Sequence, residues 1–242
     1  MTSAAGRTVV VTGARSGIGR ELLRASAARG DRAFGLDVTP GAAEEDGLPI
    51  LTVDVRDAAA VGAAFDEIVA QTGGIDVVFS NAGVRTPEAS FLELSAEDWS
   101  TVVDVNLTGA FHVGQAAAQR MRGRGGVILY TVSQLAFSVV PNNAAYLASK
   151  AGLAHLIKGM ANELGGEGIR VLGVAPGIVA TDMTNRLRED PEWVRARLSR
   201  IPADRFAEPA EVAEFMLDLA GPRADYVHGT TVVIDGGYLA GR

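Results

Sequence analysis

The sequence predicts an α/β fold: a doubly wound parallel sheet of seven strands with helices on both faces. Short runs of β-branched apolar residues alternate with alanine-rich stretches of helical period along all 242 residues. Hydrophobic residues make up 48% of the chain and charged residues 21%, which is typical of a globular protein and excludes extensive disorder. No repeat, linker or change of composition divides the chain, so we expect one domain over residues 1–242.

Seven short segments are rich in valine, isoleucine and other apolar residues, as strands buried inside a parallel sheet are. The predicted strands are Arg7–Val11, Ala33–Asp37, Ile50–Asp54, Asp76–Ser80, Gly126–Thr131, Ile169–Ala175 and Thr231–Asp235. A sheet built from strands that alternate with helices is parallel, because each helix carries the chain back to the end of the sheet where the previous strand began.

Six segments between the strands have the spacing of helices that pack one face on a sheet. Ser95, with Asp98 three residues later, is typical of a capped helix start, and this helix is expected to continue to about Met121. Pro209 suits the first turn of the last helix. The predicted helices are Gly17–Arg29, Asp57–Gln71, Ser95–Met121, Ala144–Leu164, Thr184–Ser199 and Pro209–Ala220.

The composition argues against several classes of function. The 22 basic and 29 acidic residues give a net charge of −7, which disfavours nucleic acid or an anionic membrane as a partner. Without cysteine, a disulfide scaffold, a thiolate nucleophile and a cysteine-ligated metal are excluded. His112, His155 and His228 have no metal-ligand spacing, so we expect no metal site. Neither a signal-peptide pattern nor an apolar run of about 18 residues is present, so we expect a cytoplasmic location.

A glycine-rich turn, TGARSGIG at residues 12–19, joins the first strand to the first helix. Glycine lets the backbone bend sharply and approach a ligand closely, and a helix N-terminus offers unpaired N–H groups to a pyrophosphate. This strand–turn–helix context predicts dinucleotide binding, and a plain glycine turn is the alternative. The turn lacks the lysine and hydroxyl residue of an ATP-hydrolysing phosphate loop.

Asp37 ends the second strand, where an acid can accept hydrogen bonds from the adenosine ribose. A 2′-phosphate at that position would place like charges side by side, so Asp37 favours NAD over NADP as the cofactor. Arg15 argues the other way, because a nearby arginine can accommodate a 2′-phosphate. The residue after Asp37 is Val38, so no cation follows it directly.

Tyr146 and Lys150 are four residues apart in a predicted helix and therefore share one face. An ammonium group near the phenol favours the phenolate and lowers its pKa, which brings tyrosine into the range of general acid–base catalysis. Ser133 follows the fifth strand, where its hydroxyl could hold a substrate oxygen beside Tyr146. Contacts on the surface of an amphipathic helix are the alternative interpretation of the Tyr–Lys pair.

Together these residues resemble the short-chain dehydrogenase/reductase family over essentially the whole chain, which implies a Rossmann-type fold. Ser16 stands where many NADP-using members carry a basic residue, which again favours NAD. The cofactor-binding residues that the pattern and the resemblance predict are Gly13, Arg15, Ser16, Gly17, Ile18, Gly19, Asp37, Asp54, Val55, Asn81, Ala82, Gly83, Tyr146, Lys150, Pro176, Gly177, Val179 and Thr181. The catalytic residues that the resemblance implies are Asn106, Ser133, Tyr146 and Lys150.

The resemblance implies hydride transfer between a nicotinamide and a substrate carbon while Tyr146 gives or takes the oxygen-bound proton. It implies that Lys150 lowers the pKa of that tyrosine and grips the nicotinamide ribose, and that Ser133 steadies the substrate oxygen. Asn106 would hold a water that links Lys150 to solvent. A protein that only binds or senses the dinucleotide is the alternative, and it would have no need of the Tyr–Lys pair.

The substrate implied by the resemblance is a secondary alcohol or ketone, including ring and diol compounds, and a tetramer or dimer is the implied assembly. Residues 181–204 are expected to cover the substrate. Four arginines in this segment fit either a solvated helix face or contacts with an acidic substrate. They are Arg186, Arg188, Arg195 and Arg197.

Overall fold

The computed structural model describes residues 6–241, which are built around one eight-stranded sheet. Seven strands run parallel, as the sequence predicts, and their order across the sheet is β3-β4-β2-β1-β5-β6-β7-β8. In chain order the strands are β1 (Thr8–Thr12), β2 (Arg32–Asp37), β3 (Glu44–Glu45), β4 (Leu48–Thr52), β5 (Val77–Ser80), β6 (Gly126–Thr131), β7 (Ile169–Pro176) and β8 (Thr231–Ile234).

Helices cover both faces of the sheet. They are α1 (Gly17–Ala28), α2 (Ala58–Thr72), α3 (Ala96–Val103), α4 (Ala110–Met121), α5 (Ala144–Leu164), α6 (Asp182–Arg188), α7 (Pro191–Leu198) and α8 (Pro209–Leu219). None of the helices within residues 6–241 combines the length and apolar composition needed to cross a membrane.

The apolar core lies in two layers, one on each face of the sheet. On one face α2, α4 and α5 pack against the strands around the buried Phe65, Tyr130 and Leu153. On the other face α1 and α8 do the same around Leu22 and Met216. The side chains of the central strands β1, β5 and β7 are therefore buried on both faces, which is why these strands are nearly continuous apolar runs.

The strand order reverses between β1 and β5, because β2 and β4 lie on one side of β1 and β5 to β8 lie on the other. In open parallel sheets the space outside the carboxyl ends of the strands at such a reversal is where ligands bind. Thr12 ends β1 and Ser80 ends β5 at this point. The segments that follow these two strands therefore form the base of the candidate site.

Strand β3 is an element that the sequence analysis did not predict. Its two residues pair antiparallel with β4 at the edge of the sheet, Glu44 opposite Pro49 and Glu45 opposite Leu48. Two glutamates carry no apolar alternation, so no pattern marks them as a strand. The prediction of seven parallel strands stands, with this short antiparallel edge added.

The predicted helix from Ser95 to about Met121 is interrupted. Residues Asp104–Gly109 form a π-helical segment between α3 and α4, although Ser95 caps the first helix as predicted by accepting a hydrogen bond from the Asp98 N–H at 2.9 Å. Such segments add a residue to a turn and often occur at functional sites. Hydrophobic spacing alone does not reveal a single added residue, which is why the sequence predicted one helix.

The predicted helix Thr184–Ser199 is divided into α6 and α7. Pro191 stands at the start of α7 and Asp190 caps it, since Asp190 Oδ1 accepts a hydrogen bond from the Glu192 N–H at 2.9 Å. Proline has no N–H to continue the preceding helix and favours the first turn of a new one. The break gives this segment two short helices that pack beside the cleft.

Candidate active site

A cleft opens at the carboxyl ends of β1, β5, β6 and β7, beside the reversal of strand order. Most of the predicted site residues line it. They are Gly13, Ser16, Gly17, Ile18, Asn81, Ala82, Gly83, Ser133, Tyr146, Lys150, Pro176, Gly177, Val179 and Thr181. The predicted residues outside this lining are Arg15, Gly19, Asp37, Asp54, Val55 and Asn106.

The turn after β1 requires glycine for steric reasons. Gly13 and Gly17 have φ angles of +68° and +51°, in the left-handed region that other residues rarely adopt. A Cβ atom on Gly19 would lie 2.0 Å from the carbonyl oxygen of Gly13. Gly19 therefore allows α1 to pack closely against the turn and does not itself line the cleft.

The N-terminus of α1 faces the cleft with its amide groups open. Ser16 is the N-cap residue, and its side chain makes no capping hydrogen bond to the described part of the chain. The first N–H groups of a helix have no partner within the helix and carry a partial positive charge. This end of α1 is suited to a diphosphate group.

Asn81 connects three strands beneath the cleft. Its backbone N–H and that of Ala82 donate to Thr12 Oγ1 at 2.9 and 3.0 Å, and its side-chain Nδ2 donates to the Thr12 carbonyl at 3.1 Å. Thr131 Oγ1 donates to Asn81 Oδ1 at 3.0 Å. The ends of β1, β5 and β6 are thereby held together, which fixes Ala82 and Gly83 in the cleft wall.

Asp37 organises the loop at the end of β2. It is 9% exposed, and its two carboxylate oxygens accept hydrogen bonds from the backbone N–H groups of Arg15 and Thr39 at 3.0 and 2.9 Å. Each oxygen keeps a further lone pair for another donor. The carboxylate therefore stands at the corner of the turn, next to the glycine motif, where the sequence places the adenosine ribose.

The guanidinium of Arg15 makes three hydrogen bonds to the loop that follows β2. It donates to the carbonyl oxygens of Thr39 and Ala42 at 3.0 and 2.8 Å and to Glu45 Oε2 at 2.9 Å. Glu45 neutralises its charge. Arg15 thus ties β3 to the glycine turn instead of presenting a free cation.

Asp54 and Val55 follow β4 and lie away from the cleft around Tyr146. Asp54 accepts hydrogen bonds from the Arg56 guanidinium, at 2.9 Å from Nε and 2.6 Å from Nη2, and this contact lowers the pKa of the carboxyl group. Val55 is buried against Gly109 of the π-helical segment. Their predicted contact with adenine remains an expectation from the resemblance.

Tyr146 and Lys150 lie on one face of α5, as their spacing predicts, and both reach into the cleft. Lys150 is 4% exposed, and its Nζ donates to the Thr131 carbonyl at 2.8 Å at the end of β6. The same Nζ lies 5.8 Å from the centroid of the Tyr146 ring. The helix and the sheet therefore converge on the phenol.

The electrostatics of the pair differ from the sequence argument. Burial raises the pKa of Tyr146, while the Arg85 guanidinium and the Ser133 side chain act to lower it. Burial lowers the pKa of Lys150 to about 8. The Lys150 ammonium is directed at a carbonyl, so the cation that offsets the burial of the phenol here is Arg85, 5.2 Å from the ring centroid.

Asn106 lies in the π-helical segment and is completely buried. Its Oδ1 accepts a hydrogen bond from the Val84 N–H at 2.7 Å, and its Nδ2 donates to the Val84 carbonyl at 3.0 Å and to Ser149 Oγ at 3.3 Å. The side chain thus fixes the loop after β5 and sits beside Gly83 and Lys150. Its amide is occupied by these contacts.

Arg85 and Gln134 are site residues that the sequence analysis did not assign a role. Arg85 lines the cleft next to Tyr146, but it stands in a loop where one basic residue carries no pattern. Gln134 is 5% exposed, and its Oε1 has no hydrogen-bond partner among the described residues. Met183 and Trp193 add apolar surface from α6 and α7.

The arrangement fits an adenine dinucleotide. The open end of α1 suits the diphosphate, Asp37 suits a ribose hydroxyl, and the unpaired Gln134 Oε1 suits an N–H or O–H donor at the other end of the cleft. A Cβ on Gly177 would lie 3.2 Å from that oxygen, so Gly177 keeps the space beside it open.

A glycine turn at the switch point of a doubly wound sheet, facing a tyrosine and a lysine, defines an oxidoreductase dependent on NAD or NADP that acts on CH–OH groups. Comparison with known proteins agrees with this class. A family model described as enoyl-(acyl carrier protein) reductase matches residues 13–239. The chain belongs to the short-chain dehydrogenase/reductase family.

Three curated relatives are similar over nearly their whole length. D-threitol dehydrogenase of Mycolicibacterium smegmatis is 37% identical, over 96% of this chain and 93% of its own. 3-Oxoacyl-[acyl-carrier-protein] reductase of Thermotoga maritima is also 37% identical, over 97% and 98%. Cis-4-hydroxycyclohexanecarboxylate dehydrogenase of Sinomonas cyclohexanicum is 38% identical, over 97% of both chains. A solved structure from Agrobacterium tumefaciens with bound NADP superimposes with a TM-score of 0.90 at 33% identity, covering 98% of both chains.

Proposed function

We propose that this protein is an NAD-dependent dehydrogenase that interconverts a secondary alcohol and a ketone, with Tyr146 as the general acid and base. The observation that carries the proposal is the convergence on one phenol. Tyr146 lines the cleft together with Ser133, and it has the cations of Arg85 and Lys150 within 5.2 and 5.8 Å of its ring centroid. Cations near a phenol favour the phenolate, so Arg85 acts against the burial that raises the pKa of Tyr146.

The proton transfer in this proposal uses Tyr146 and Ser133. During oxidation, the phenolate oxygen of Tyr146 takes the hydroxyl proton of the alcohol, and in reduction the phenol returns it to the carbonyl oxygen. Ser133 donates its hydroxyl hydrogen to the substrate oxygen, while its Oγ accepts a hydrogen bond from the Leu135 N–H at 3.1 Å. The bound nicotinamide would accept or supply the hydride.

Lys150 and Asn106 support this step. Lys150 uses one N–H to bind the Thr131 carbonyl and keeps two for the ribose and for solvent-linked water. Asn106 fixes the Val84 loop through its amide and lies beside Gly83 and Lys150. The role predicted for Asn106 in positioning that water remains part of the proposal.

The preference for NAD rests on the loop after β2. A 2′-phosphate would meet the Asp37 carboxylate, which is fixed by two backbone hydrogen bonds. Arg15, the one residue that argued for NADP, has its charge compensated by Glu45 and its N–H groups bound to the loop. The NADP in the Agrobacterium tumefaciens structure is bound by a protein that is 33% identical, so it does not decide the cofactor of this chain.

A small alcohol is the proposed substrate. Two of the relatives are named for dehydrogenation of a polyol and of a hydroxylated ring, and both compounds carry secondary hydroxyl groups. The cleft beside Tyr146 offers the apolar Met183 and Trp193 together with the polar Gln134. That mixture suits a compact molecule with both a hydrocarbon part and polar groups.

The proposal is tested by following NADH formation with a panel of cyclic alcohols, polyols and hydroxy acids, with NAD⁺ and NADP⁺ in parallel. We expect turnover of at least one secondary alcohol, with kcat/KM at least tenfold higher with NAD⁺. Turnover confined to primary alcohols, or preference for NADP⁺, would contradict the reaction or the cofactor assignment respectively. Binding of NADH without turnover of any alcohol or ketone would favour the dinucleotide-binding alternative.

We also propose a homo-oligomer that assembles through α3 to α5. Trp99 of α3 and Phe111 of α4 are 40% and 42% exposed, which is high for aromatic side chains on neighbouring helices. Sedimentation equilibrium should give a dimer or tetramer. Replacing Phe111 with Glu should shift the population toward the monomer, whereas Tyr226→Glu, in a separate exposed turn, should not.

A further inference from the structure

We infer that Arg85 is a binding site for a carboxylate on the substrate, so that the natural substrate is a hydroxy acid or its keto acid. The inference rests on the proposed function, because it assigns the charge of that reaction's substrate. Arg85 lines the cleft with its guanidinium carbon 5.2 Å from the centroid of the Tyr146 ring. An anion bound there would lie next to the group that exchanges the proton.

Arg85 is held in place but is not saturated. Its Nη2 donates to Asn143 Oδ1, and Asn143 is itself buried and donates to the Pro141 carbonyl at 2.7 Å. The Nε and Nη1 groups make no hydrogen bond to the part of the chain that the structure describes. A guanidinium recognises a carboxylate through paired N–H groups, so its remaining donors provide a suitable site.

The ion pair with Glu88 does not explain why Arg85 stands in the cleft. Arg85 Nη2 and Glu88 Oε1 are 3.5 Å apart, and the Glu88 side chain is 42% exposed. Exposed pairs at such distances contribute little to stability. Glu88 is a weak counter-ion that a substrate carboxylate can replace, and Asn143 keeps the guanidinium oriented while this happens.

The charge balance of the cleft also favours an anion. Among the residues that the structure describes, the ionisable groups that line the cleft are Arg85, Tyr146, Lys150 and Asp182. Asp182 is exposed at the start of α6 and accepts a hydrogen bond from Asn185 Nδ2 at 3.0 Å. The two cations, by contrast, flank the phenol.

The sequence left an acidic substrate open on the basis of four arginines in residues 181–204. None of Arg186, Arg188, Arg195 and Arg197 lines the cleft, and Arg197 stacks on Trp193 at 5.4 Å from its ring centroid. The solvated-face interpretation therefore suits these four residues. The same substrate chemistry is supported instead by Arg85, in the loop that follows β5.

A binding experiment tests the inference without turnover. Protein saturated with NADH is titrated calorimetrically with cyclohexanecarboxylate and with cyclohexanecarboxamide, which share a ring and differ in charge. We expect the carboxylate to bind at least tenfold more tightly to the wild type. Arg85→Gln should remove the difference, Arg85→Lys should retain part of it, and Arg122→Gln, a change at a 77% exposed arginine paired with Glu167, should leave it intact.

Equal affinity for the two ligands, no binding of the carboxylate, or a preference that survives in Arg85→Gln would overturn the inference. Circular dichroism and NADH affinity of the variant show that it is folded. The second readout is kcat/KM for cis-4-hydroxycyclohexanecarboxylate against its carboxamide, where we expect at least a tenfold preference for the acid that Arg85→Gln abolishes.

The two proposals fail in distinguishable ways. Efficient turnover of the carboxamide with equal or lower activity on the acid would sink the carboxylate site and leave the dehydrogenase intact. Arg85-dependent binding of the carboxylate with no oxidation of any hydroxy acid would support the site and contradict the dehydrogenase. If the wild-type protein does not bind NADH, the dehydrogenase assignment is contradicted. The carboxylate and the carboxamide are then titrated into the protein without NADH, and the same comparison of affinities tests the carboxylate site.

Discussion

Lys150 is a buried cation whose surroundings oppose its charge. It is 4% exposed, its hydrogen bond runs to the neutral Thr131 carbonyl, and burial lowers its pKa to about 8 from an ordinary 10.5. In the folded protein the ammonium is therefore less stable than in the unfolded chain. A group kept at such a cost near a reactive phenol is typical of a functional site.

This burial predicts how stability depends on pH. Between about pH 8 and 10.5 the unfolded chain binds the Lys150 proton more strongly than the folded protein does, so the free energy of unfolding rises with pH. Relative to Lys150→Met, which lacks the group, wild-type stability should rise by about 2 kcal/mol from pH 7 to pH 10. Urea denaturation of both proteins at pH 7 and pH 10 measures this difference in the free energy of unfolding.

Titrations shared by both proteins cancel in this difference, and Lys158→Met is the matched control on the same helix. The control should track the wild type across the range. A wild-type curve parallel to that of Lys150→Met would show that Lys150 is not destabilised in its charged form.

The residues differ in how far they could be foreseen. Tyr146, Lys150 and Ser133 follow from spacing, because a helix face and a strand end fix where such side chains point. Arg85 does not, since it lies in a loop and reaches Tyr146 through contacts with Asn143 and Glu88 that no local pattern encodes. The part that Arg85 plays in offsetting the rise of the Tyr146 pKa on burial was unforeseen for the same reason.

At the scale of elements, the π-helical segment between α3 and α4 brings Asn106 inward. It packs closely on the loop after β4, where a Cβ atom on Gly109 would lie 2.6 Å from Val55 Cγ2. Gly109 therefore permits a contact between two elements. The sequence predicted one continuous helix through this segment and not the added residue, because one extra residue barely alters hydrophobic spacing.

Replacing Gly109 with alanine should destabilise the protein by about 1–3 kcal/mol, since the new methyl group overlaps Val55. Gly62→Ala in α2 is the control, because the nearest atom to its new Cβ is 3.9 Å away and alanine is the better helix former. Thermal and urea denaturation should show a loss for the first variant and none for the second. Equal stability of Gly109→Ala and the wild type would contradict this packing.

In the proposed function, the loop from β2 to β3 is the element that favours NAD over NADP. Glu45 neutralises Arg15 at 2.9 Å, and Glu45→Gln should leave the guanidinium charge free to attract a 2′-phosphate. Because an ion pair at a partly exposed site contributes about 1 kcal/mol, we expect the ratio of kcat/KM for NADP⁺ to NAD⁺ to rise about three- to fivefold. Glu44→Gln, at the exposed neighbour, should leave the ratio unchanged.

An unchanged ratio in Glu45→Gln would show that the neutralisation of Arg15 by Glu45 plays no part in excluding NADP. The short strand β3 could not be predicted from two glutamates, yet it is the anchor for this charge. Tertiary contact with Arg15 and the edge of β4 together specify it, and neither is visible in a local window of sequence.

At the scale of the whole molecule, the order of the strands places the site. The glycine turn, the Asn81 segment and the ends of β6 and β7 are far apart in sequence and meet because the strand order reverses between β1 and β5. The alternation of strands and helices predicted the doubly wound parallel sheet correctly. The division of the substrate segment at Pro191 and the conformation of its loops depend on packing, so they were not predicted.

The most direct measurement of the central claim is the rate of hydride transfer in Tyr146→Phe, beside Tyr226→Phe as the control at a fully exposed tyrosine. With an alcohol that the wild type oxidises, loss of the phenol oxygen should reduce kcat by at least about 1,000-fold while NADH affinity changes less than threefold. The control should match the wild type. A Tyr146→Phe enzyme that keeps more than a tenth of wild-type kcat would contradict the account, because the proton would then have another acceptor.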